Sequence, residues 1–317
     1  MDELPGGLLR VTMSLPTRPG HVHCYLVPVE DGLMLVDTGL GLPDAREQWA
    51  AVLGRLDVPV VTVFLTHFHP DHLGAAADLR DLTGAPIVQG RLDAQQARTV
   101  WENETWTDHL ADWFRRNGVP EVVTDELIGQ GALYAPFVRT VSDPEVVDAG
   151  DTLHGWDVVA APGHADGQLT LLRDGVLLAA DHLLARITPT VGLWPESRPD
   201  PLGDYMEALE NTIELAPAVA YGGHGDAMAD PVGRARELIS HHDDRLRVAA
   251  AALGPDPLTG YDVSFPLFGH DLGPAARRFA VAETLSHLER LVRDGRAERL
   301  DAVDGDPVGA VSYTAAQ

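Results

Sequence analysis

The chain has 317 residues and a formal net charge of −25 at pH 7, from 23 Lys and Arg against 48 Asp and Glu. All of the basic residues are arginine, which excludes a Schiff-base lysine, a Ser–Lys pair and a GxxxxGK[ST] phosphate loop. Composition is globular, no apolar run approaches the about 20 residues of a membrane span, and the single Cys24 excludes an internal disulfide. With acids where a secretory signal needs positive charge, we expect a cytoplasmic protein without membrane contacts.

In the first half of the chain, short apolar runs alternate with helical patterns. Strands are predicted from β-branched and apolar runs at 22–28, 33–36, 60–65 and 87–88. Helices are predicted from apolar residues at helical spacing at 44–56, 73–82 and 92–116. The stretch 120–142 has neither pattern, so we expect irregular structure there.

The strand pattern resumes after residue 150. Further strands are predicted at 157–161, 169–172, 176–180 and 219–221, with a helix at 205–215. The pattern is therefore roughly duplicated, and two sheets between layers of helices fit it better than one doubly wound sheet. We predict an α/β protein whose first domain, residues 1–235, carries a helical insertion at about 92–145.

The last third of the chain differs in pattern. Long helices are predicted at 232–253 and 275–293, the second with Phe279 on its inner face. Segments 299–303 and 308–313, joined by Asp304-Gly305-Asp306, predict a β-hairpin. Helices followed by a hairpin are the order of a small winged-helix module, so we predict a separate winged-helix-like domain over residues 236–317.

The segment Thr66-His67-Phe68-His69-Pro70-Asp71-His72 directly follows the predicted strand 60–65. In an extended chain His67 and His69 point the same way, while Asp71 and His72 lie on the turn into the next helix. Imidazole and carboxylate groups suit zinc, iron or manganese. A chance cluster on a solvated loop is the alternative, but four donors at the mouth of a core strand favour a metal site.

Three further donors follow predicted strands elsewhere in the chain. His164 comes after the strand at 157–161, Asp181 directly after 176–180, and His224 after the strand that ends near Tyr221. Neighbouring glycines let the backbone approach closely. Each position alone is weak evidence, but together with the first cluster they predict one shared rim.

These segments resemble those of the metallo-β-lactamase-fold hydrolases. The matching stretches follow the family's order: Val36-Asp37-Thr38-Gly39, Thr66–His72, Pro162-Gly163-His164, Asp181 and Gly223-His224-Gly225. The resemblance implies an αββα sandwich with two divalent ions at its edge, zinc first, with iron or manganese as alternatives. It implies that one ion is held by His67, His69 and His164. It implies that Asp71, His72 and His224 hold the second and that Asp181 bridges them, as in hydroxyacylglutathione hydrolase (glyoxalase II), with Asp37 structural.

The tail also carries a resemblance. His242 and Arg245 on a predicted helix, followed by the helix–hairpin order, are similar to the winged-helix extension of the lactamase-like protein subfamily. That branch includes endoribonucleases and thioesterases. The resemblance therefore leaves two reactions open at the same metals.

The first reaction is hydrolysis of an ester, thioester or lactone of a small molecule. Two metal ions sharing a bridging hydroxide would supply the nucleophile, and Asp71 would orient it. The alternative is a metallo-endoribonuclease that cleaves phosphodiesters. Residues 240–317 carry eight Arg against twelve acids, a net charge of −4, so a nucleic-acid partner is disfavoured and the tail could instead support a homodimer.

Residues for specificity are harder to assign from the sequence. Four aromatic residues form either an apolar lid over the metals or the core of the insertion: Trp101, Trp106, Trp113 and Phe114. Arg186 is a candidate contact for an anionic substrate group, with a surface role as the alternative. Tyr221 is a candidate oxyanion donor, with a core role as the alternative. Three histidines are assigned to the surroundings of the site or to helix surfaces: His182, His241 and His242.

Overall fold

The structure, a computed structural model, describes residues 1–301 and 309–316. Seven strands pair in chain order in the first sheet: β1 (Asp2–Glu3), β2 (Leu9–Ser14), β3 (His21–Val29), β4 (Gly32–Val36), β5 (Val60–Leu65), β6 (Ile87–Gly90) and β7 (Glu145–Val147). Five strands form the second: β8 (Thr152–Leu153), β9 (Trp156–Ala160), β10 (Leu169–Arg173), β11 (Val176–Ala180) and β12 (Val219–Gly222). Strands β4 to β7 run parallel to one another, as do β11 and β12.

The α-helices lie between and after these strands along the chain. Those of the first half are α1 (Ala45–Leu53), α2 (Pro70–Leu73), α3 (Ala76–Thr83), α4 (Arg91–Trp101), α5 (Trp106–Arg116) and α6 (Glu121–Ala132). Those of the second half are α7 (Pro201–Leu215), α8 (Pro231–Ala252), α9 (Gly260–Phe268) and α10 (Pro274–Arg293). A small third sheet has the order β13-β15-β14, from β13 (Leu258–Thr259), β14 (Ala297–Leu300) and β15 (Ser312–Ala315).

Alternation along the strands explains the layers. On β4, Met34 joins a core shared by the two sheets with Phe64 and Leu171, whereas Leu35 packs in the core that contains Trp49 of α1. Successive strand residues point to opposite faces, so each sheet contacts the other sheet on one face and helices on the other. On the far side, α7, α8 and α10 pack against β11 through a third core. The predicted αββα sandwich is confirmed.

The insertion differs from its prediction. The single helix expected at 92–116 is two helices, because α4 ends at Trp101 and α5 begins at Trp106. The stretch 120–142, expected to be irregular, contains α6, which buries Leu127 against its neighbours. Gly129 and Gly131 lie within α6, and their low helix propensity weakened the pattern.

The tail confirms two predicted helices as α8 and α10, but its details differ. Phe279 is 43% exposed, so its prediction as an inner-face residue is wrong. Helix α9 was missed, although Thr259 and Asp262 form a capping box at its start. The hairpin turn predicted at 304–306 lies outside the described residues. Among the described helices, none has the length and apolar character that crossing a bilayer requires.

Candidate metal centre

Strands of both sheets end at one rim of the sandwich. The segment after β5 carries the first four donors, and the turns after β9, β11 and β12 carry one each. Together they bring seven side chains to the rim: His67, His69, Asp71, His72, His164, Asp181 and His224. A Cβ at Gly223 would lie 2.5 Å from Asp181 Oδ1 and 2.7 Å from His72 Cε1, so the close approach of β12 to the rim requires glycine there.

Three imidazoles form one half of the rim, which we call the three-histidine side. His69 Nδ1 lies 3.1 Å from His67 Nε2 and 2.8 Å from His164 Nε2. His67 Nδ1 faces Thr66 Oγ1 at 3.0 Å, and His164 Nδ1 donates to the Thr190 carbonyl at 2.8 Å. Because each outer nitrogen is held by an acceptor, the lone pairs of His67 Nε2 and His164 Nε2 both turn inward.

The other half, which we call the carboxylate side, combines Asp71, His72 and His224. His224 Nε2 lies 3.3 Å from Asp71 Oδ2, and His72 Nε2 lies 4.0 Å from that same oxygen. His72 Nδ1 contacts Asp37 Oδ2 at 2.7 Å, and His224 Nδ1 donates to the His21 carbonyl at 2.7 Å. Here too the Nε2 atoms of both histidines are directed at the rim.

Asp181 lies between the two sides. Its Oδ2 is 3.5 Å from His164 Nε2 on one side and 3.3 Å from His224 Nε2 on the other, while its Oδ1 is 3.5 Å from His72 Nε2. A carboxylate in this position faces donors from both sets. The family resemblance implies a bridging role for Asp181, and the structure places its carboxylate between the two sets.

The chemistry of these donors fits divalent metal ions. His72 Nε2 and Asp181 Oδ1 are buried and have no hydrogen-bond partner among the described residues. Buried polar atoms are ordinarily satisfied, and inward lone pairs about 3 Å apart repel one another unless a proton or cation lies between them. Neutral imidazoles and carboxylates are also the ligand types that zinc, iron and manganese take.

The two sides differ in electrostatics. On the three-histidine side, burial together with neighbouring imidazoles lowers the pKa of His69 to about 3 and the pKa of His67 well below its usual range. On the carboxylate side, burial disfavours the charged imidazole, but Asp181 and Asp71 outweigh it and raise the pKa of His224 to about 10. The pKa of His72 is raised well above its usual range in the same way, against its burial, by Asp181, Asp37 and Asp71.

The backbone that carries His67 and His69 is fixed by three side chains from other elements. Asp37, which has a left-handed φ of 62°, accepts from the Thr66 amide at 2.8 Å. Asp93 at the start of α4 accepts from the Phe68 amide at 3.0 Å, and the Trp101 indole donates to the Phe68 carbonyl at 2.8 Å. Asp37 therefore has the structural position expected for it. The roles of Asp93 and Trp101 were not predicted.

The loop between β11 and α7 presents the carbonyl that orients His164, and helices of the tail hold this loop. The Leu193 amide donates to the Ala282 carbonyl on α10 at 2.9 Å. From α8, Arg234 donates to the Leu184 carbonyl at 2.8 Å and to the Ile187 carbonyl at 2.9 Å. The last third of the chain therefore contributes indirectly to the geometry of the rim.

The candidate substrate residues lie outside this cluster. Arg186 is exposed and forms an ion pair with Asp226 at 2.9 Å. This agrees with the surface role that was the alternative to a substrate contact. Tyr221 is 4% exposed and packs in the core between the sheets, as the core alternative has it. Of the insertion's aromatic residues, Phe114 is fully buried and Trp113 packs against Trp194 with ring centroids 5.6 Å apart.

The other three histidines singled out in the sequence lie in different environments. His182 is buried, with its Nε2 2.8 Å from Thr212 Oγ1, while His241 lies on α8 beside His242. His242 is fully buried, which excludes the helix-surface alternative for this residue. The sequence also missed His21, whose carbonyl orients His224, because a backbone acceptor leaves no residue signature.

An αββα sandwich with histidines and aspartates gathered at one rim defines a class of metal-dependent hydrolases. Comparison with known families agrees: residues 17–224 match the metallo-beta-lactamase superfamily, and residues 246–307 match the metallo-beta-lactamase-like C-terminal domain. The chain therefore belongs to the metallo-β-lactamase superfamily and is a metal-dependent hydrolase with a lactamase-like C-terminal domain.

Individual relatives extend over the whole chain. The metallo-beta-lactamase family protein TTHA1429 from Thermus thermophilus is 33% identical, with a TM-score of 0.84 over 98% of this chain and 99% of that one. A beta-lactamase domain protein from Burkholderia ambifaria is 27% identical, with a TM-score of 0.88 over 99% of this chain and 94% of that one. The probable metallo-hydrolase YqjP of Bacillus subtilis is 27% identical over 90% of this chain and 92% of its own length.

Proposed function

We propose that the rim is a dinuclear metal centre of the hydroxyacylglutathione-hydrolase type and that the protein hydrolyses an ester, thioester or lactone of a small molecule. The observation that carries the proposal is the position of Asp181, whose carboxylate lies within 3.5 Å of imidazoles from both sides of the rim. A carboxylate placed in this way would be shared by two neighbouring ions. Zinc is the proposed metal, with iron and manganese as alternatives suited to the same donors.

The proposed ligands divide as the geometry does. His67, His69 and His164 would hold one ion and Asp71, His72 and His224 the other, with Asp181 shared. When bound, such ions supply a water that is nucleophilic near neutral pH and polarise the oxygen of the group under attack. The hydrogen bonds from the outer ring nitrogens keep the Nε2 atoms of His67, His164, His72 and His224 free for this purpose.

Among the chain's own residues, Asp71 is the proposed catalytic group. Its side chain is 27% exposed, compared with 9% for Asp181 and 3% for Asp37, so it is the rim carboxylate that solvent reaches best. Its Oδ2 lies 3.3 Å from His224 Nε2, which fixes the direction of the carboxylate. From this position Asp71 would orient the attacking water and accept its proton.

A small neutral or weakly charged acyl substrate fits the charge of the chain. The formal net charge is −25, and the tail at residues 240–317 keeps a net charge of −4 on a count of eight Arg and twelve acids. Binding of a phosphodiester backbone depends on clustered cations. The endoribonuclease alternative therefore has the weaker support, and the tail is proposed as a winged-helix-like structural unit.

A substrate panel tests the proposal. Metal-loaded protein would be assayed with acyl-thioesters, lactones and phosphodiesters, with Asp71→Asn as the inactive control and Asp226→Asn as a control on the same side of the molecule. We expect turnover of at least one acyl class and none of the phosphodiesters. Tight RNA binding that weakens steeply with salt, together with phosphodiester cleavage, would replace the proposal by the alternative.

A further inference from the structure

A second cluster of metal-ligand residues lies between two helices of the tail, apart from the rim. It consists of His242 on α8 and of Glu283 and His287, which are one turn apart on α10. One ligand atom from each residue lies within 4.8 Å of those of the other two. Both histidines are fully buried and Glu283 is 8% exposed, so this is not a solvated surface group.

The two histidines contact each other through one long hydrogen bond between ring nitrogens. His287 Nδ1 donates to the Glu283 carbonyl at 2.7 Å, so the lone pair of its Nε2 faces His242 Nδ1, 3.3 Å away. This separation is at the long end of the range for a hydrogen bond between two ring nitrogens. It also matches the roughly 3.3 Å expected between two imidazole nitrogens that bind the same tetrahedral ion at ~2.0–2.1 Å.

Two polar groups of the cluster, His242 Nε2 and the Glu283 carboxylate, have no hydrogen-bond partner among the described residues. His242 Nε2 is buried and makes no hydrogen bond among the described residues. The Glu283 carboxylate forms no ion pair or hydrogen bond within the described part of the chain, and burial raises its pKa to about 7. The charge of the nearby Arg245 opposes this rise without cancelling it, and its guanidinium donates to the Leu267 carbonyl and stacks on Phe268 at 4.4 Å.

We propose that His242, Glu283 and His287 form an additional site that binds one divalent transition-metal ion, with Zn²⁺ as the representative ligand. Two imidazoles and one carboxylate are a common zinc ligand set, and a water molecule completes four-coordination. The bound ion cross-links α8 to α10 and neutralises the buried Glu283. It has a structural role, because the cluster is enclosed by helices and takes no part in the rim.

The test compares two buried glutamates of the same helix. Glu283→Gln removes the proposed ligand, and Glu289→Gln is the matched control, because Glu289 is also 8% exposed but is partnered by Arg299 at 2.9 Å and Tyr313 at 2.7 Å. Each protein would be loaded with Zn²⁺, freed of unbound metal and analysed by mass spectrometry. We expect Glu283→Gln to bind one zinc fewer per chain than the wild type and the control, with turnover at the rim unchanged.

A rim-deficient background separates the two kinds of site. In His67→Ala/His69→Ala/Asp181→Ala protein we expect one zinc per chain to remain and to raise the unfolding temperature, and both effects to disappear when Glu283→Gln is added. Equal zinc content in Glu283→Gln and Glu289→Gln proteins would overturn the proposal. So would a retained zinc in the rim-deficient protein that Glu283→Gln does not remove.

Discussion

Both sides of the rim contain histidines, but their surroundings shift the pKa of these histidines in opposite directions. On the three-histidine side, burial lowers the pKa of His67 and His69, so both imidazoles are neutral in the unloaded protein at neutral pH. On the carboxylate side, acidic neighbours overcome burial and raise the pKa of His72 and His224, so these imidazoles hold protons. One side is thus ready for a cation, and the other must first release protons to accept one.

The largest expected effect is loss of a ligand on the side that is already prepared. His69→Ala should abolish turnover, a larger loss than the ~10–100-fold typical of residues that only support a ligand. The fold should persist, because the rim lies at the edge of the sandwich. Activity and circular dichroism would be measured together, with the exposed His109→Ala as control; unaltered turnover in His69→Ala would remove the residue from the site.

A smaller effect is expected when the support of a single side is weakened. Asp37→Asn tolerates the left-handed backbone and keeps the carbonyl that accepts from both the Thr66 amide and the Thr66 hydroxyl. It removes the oxygen that contacts His72 Nδ1 at 2.7 Å. Metal affinity on the carboxylate side should fall ~10–100-fold. Competition with a chromophoric chelator would measure it, and an equal loss on both sides would contradict the distinction between them.

The pH dependence of metal binding tests the electrostatic difference directly. Because the pKa of His224 is raised to about 10, a metal ion must displace its proton throughout the neutral range. Affinity on the carboxylate side should therefore rise with pH, by ~10-fold per unit for each proton displaced. The three-histidine side should change little, since the pKa of His69 is about 3. Calorimetry in buffers of different ionisation enthalpy counts the released protons; identical counts for both ions would refute the comparison.

The smallest expected effect concerns the backbone under the three-histidine side. Trp101→Phe removes the donor to the Phe68 carbonyl and leaves that buried acceptor unpaired, which should cost about 1–3 kcal/mol of stability. Turnover should fall only a few-fold, because His67 and His69 remain. Thermal unfolding and kinetics would be compared with Trp106→Phe on the next helix. A Trp101→Phe protein as stable as the control would show that the hydrogen bond does not contribute to the stability of the fold.

Much of the fold and of the rim is predictable because both depend on local pattern. An apolar run in the sequence predicts a strand. A metal-ligand side chain directly after a strand must lie at the edge of its sheet. His67 and His69 were found through their spacing, whereas His164, Asp181 and His224 were found through their position after strands. The structure brings all of them to one rim, in the places where the sequence put them.

The sequence could not predict the hydrogen bonds that involve backbone groups. The carbonyls of His21 and Thr190 orient ring nitrogens, and a carbonyl is the same whatever residue carries it. Asp93 and Trp101 form hydrogen bonds with the amide and carbonyl of Phe68 from α4, and no sequence spacing indicates these contacts. Helix α6 was missed for the related reason that its packing partners, not its glycine-containing sequence, stabilise it.

The loop that orients His164 has a consequence for how the chain can be divided. Its carbonyls and amides are held by Arg234 on α8 and by Ala282 on α10. A fragment truncated near residue 230 would retain every metal ligand of the rim and yet release the support behind one of them. The two parts of this chain are therefore not interchangeable modules, and a chimera that exchanged the tail would have to recreate those attachments to keep its ligands aligned.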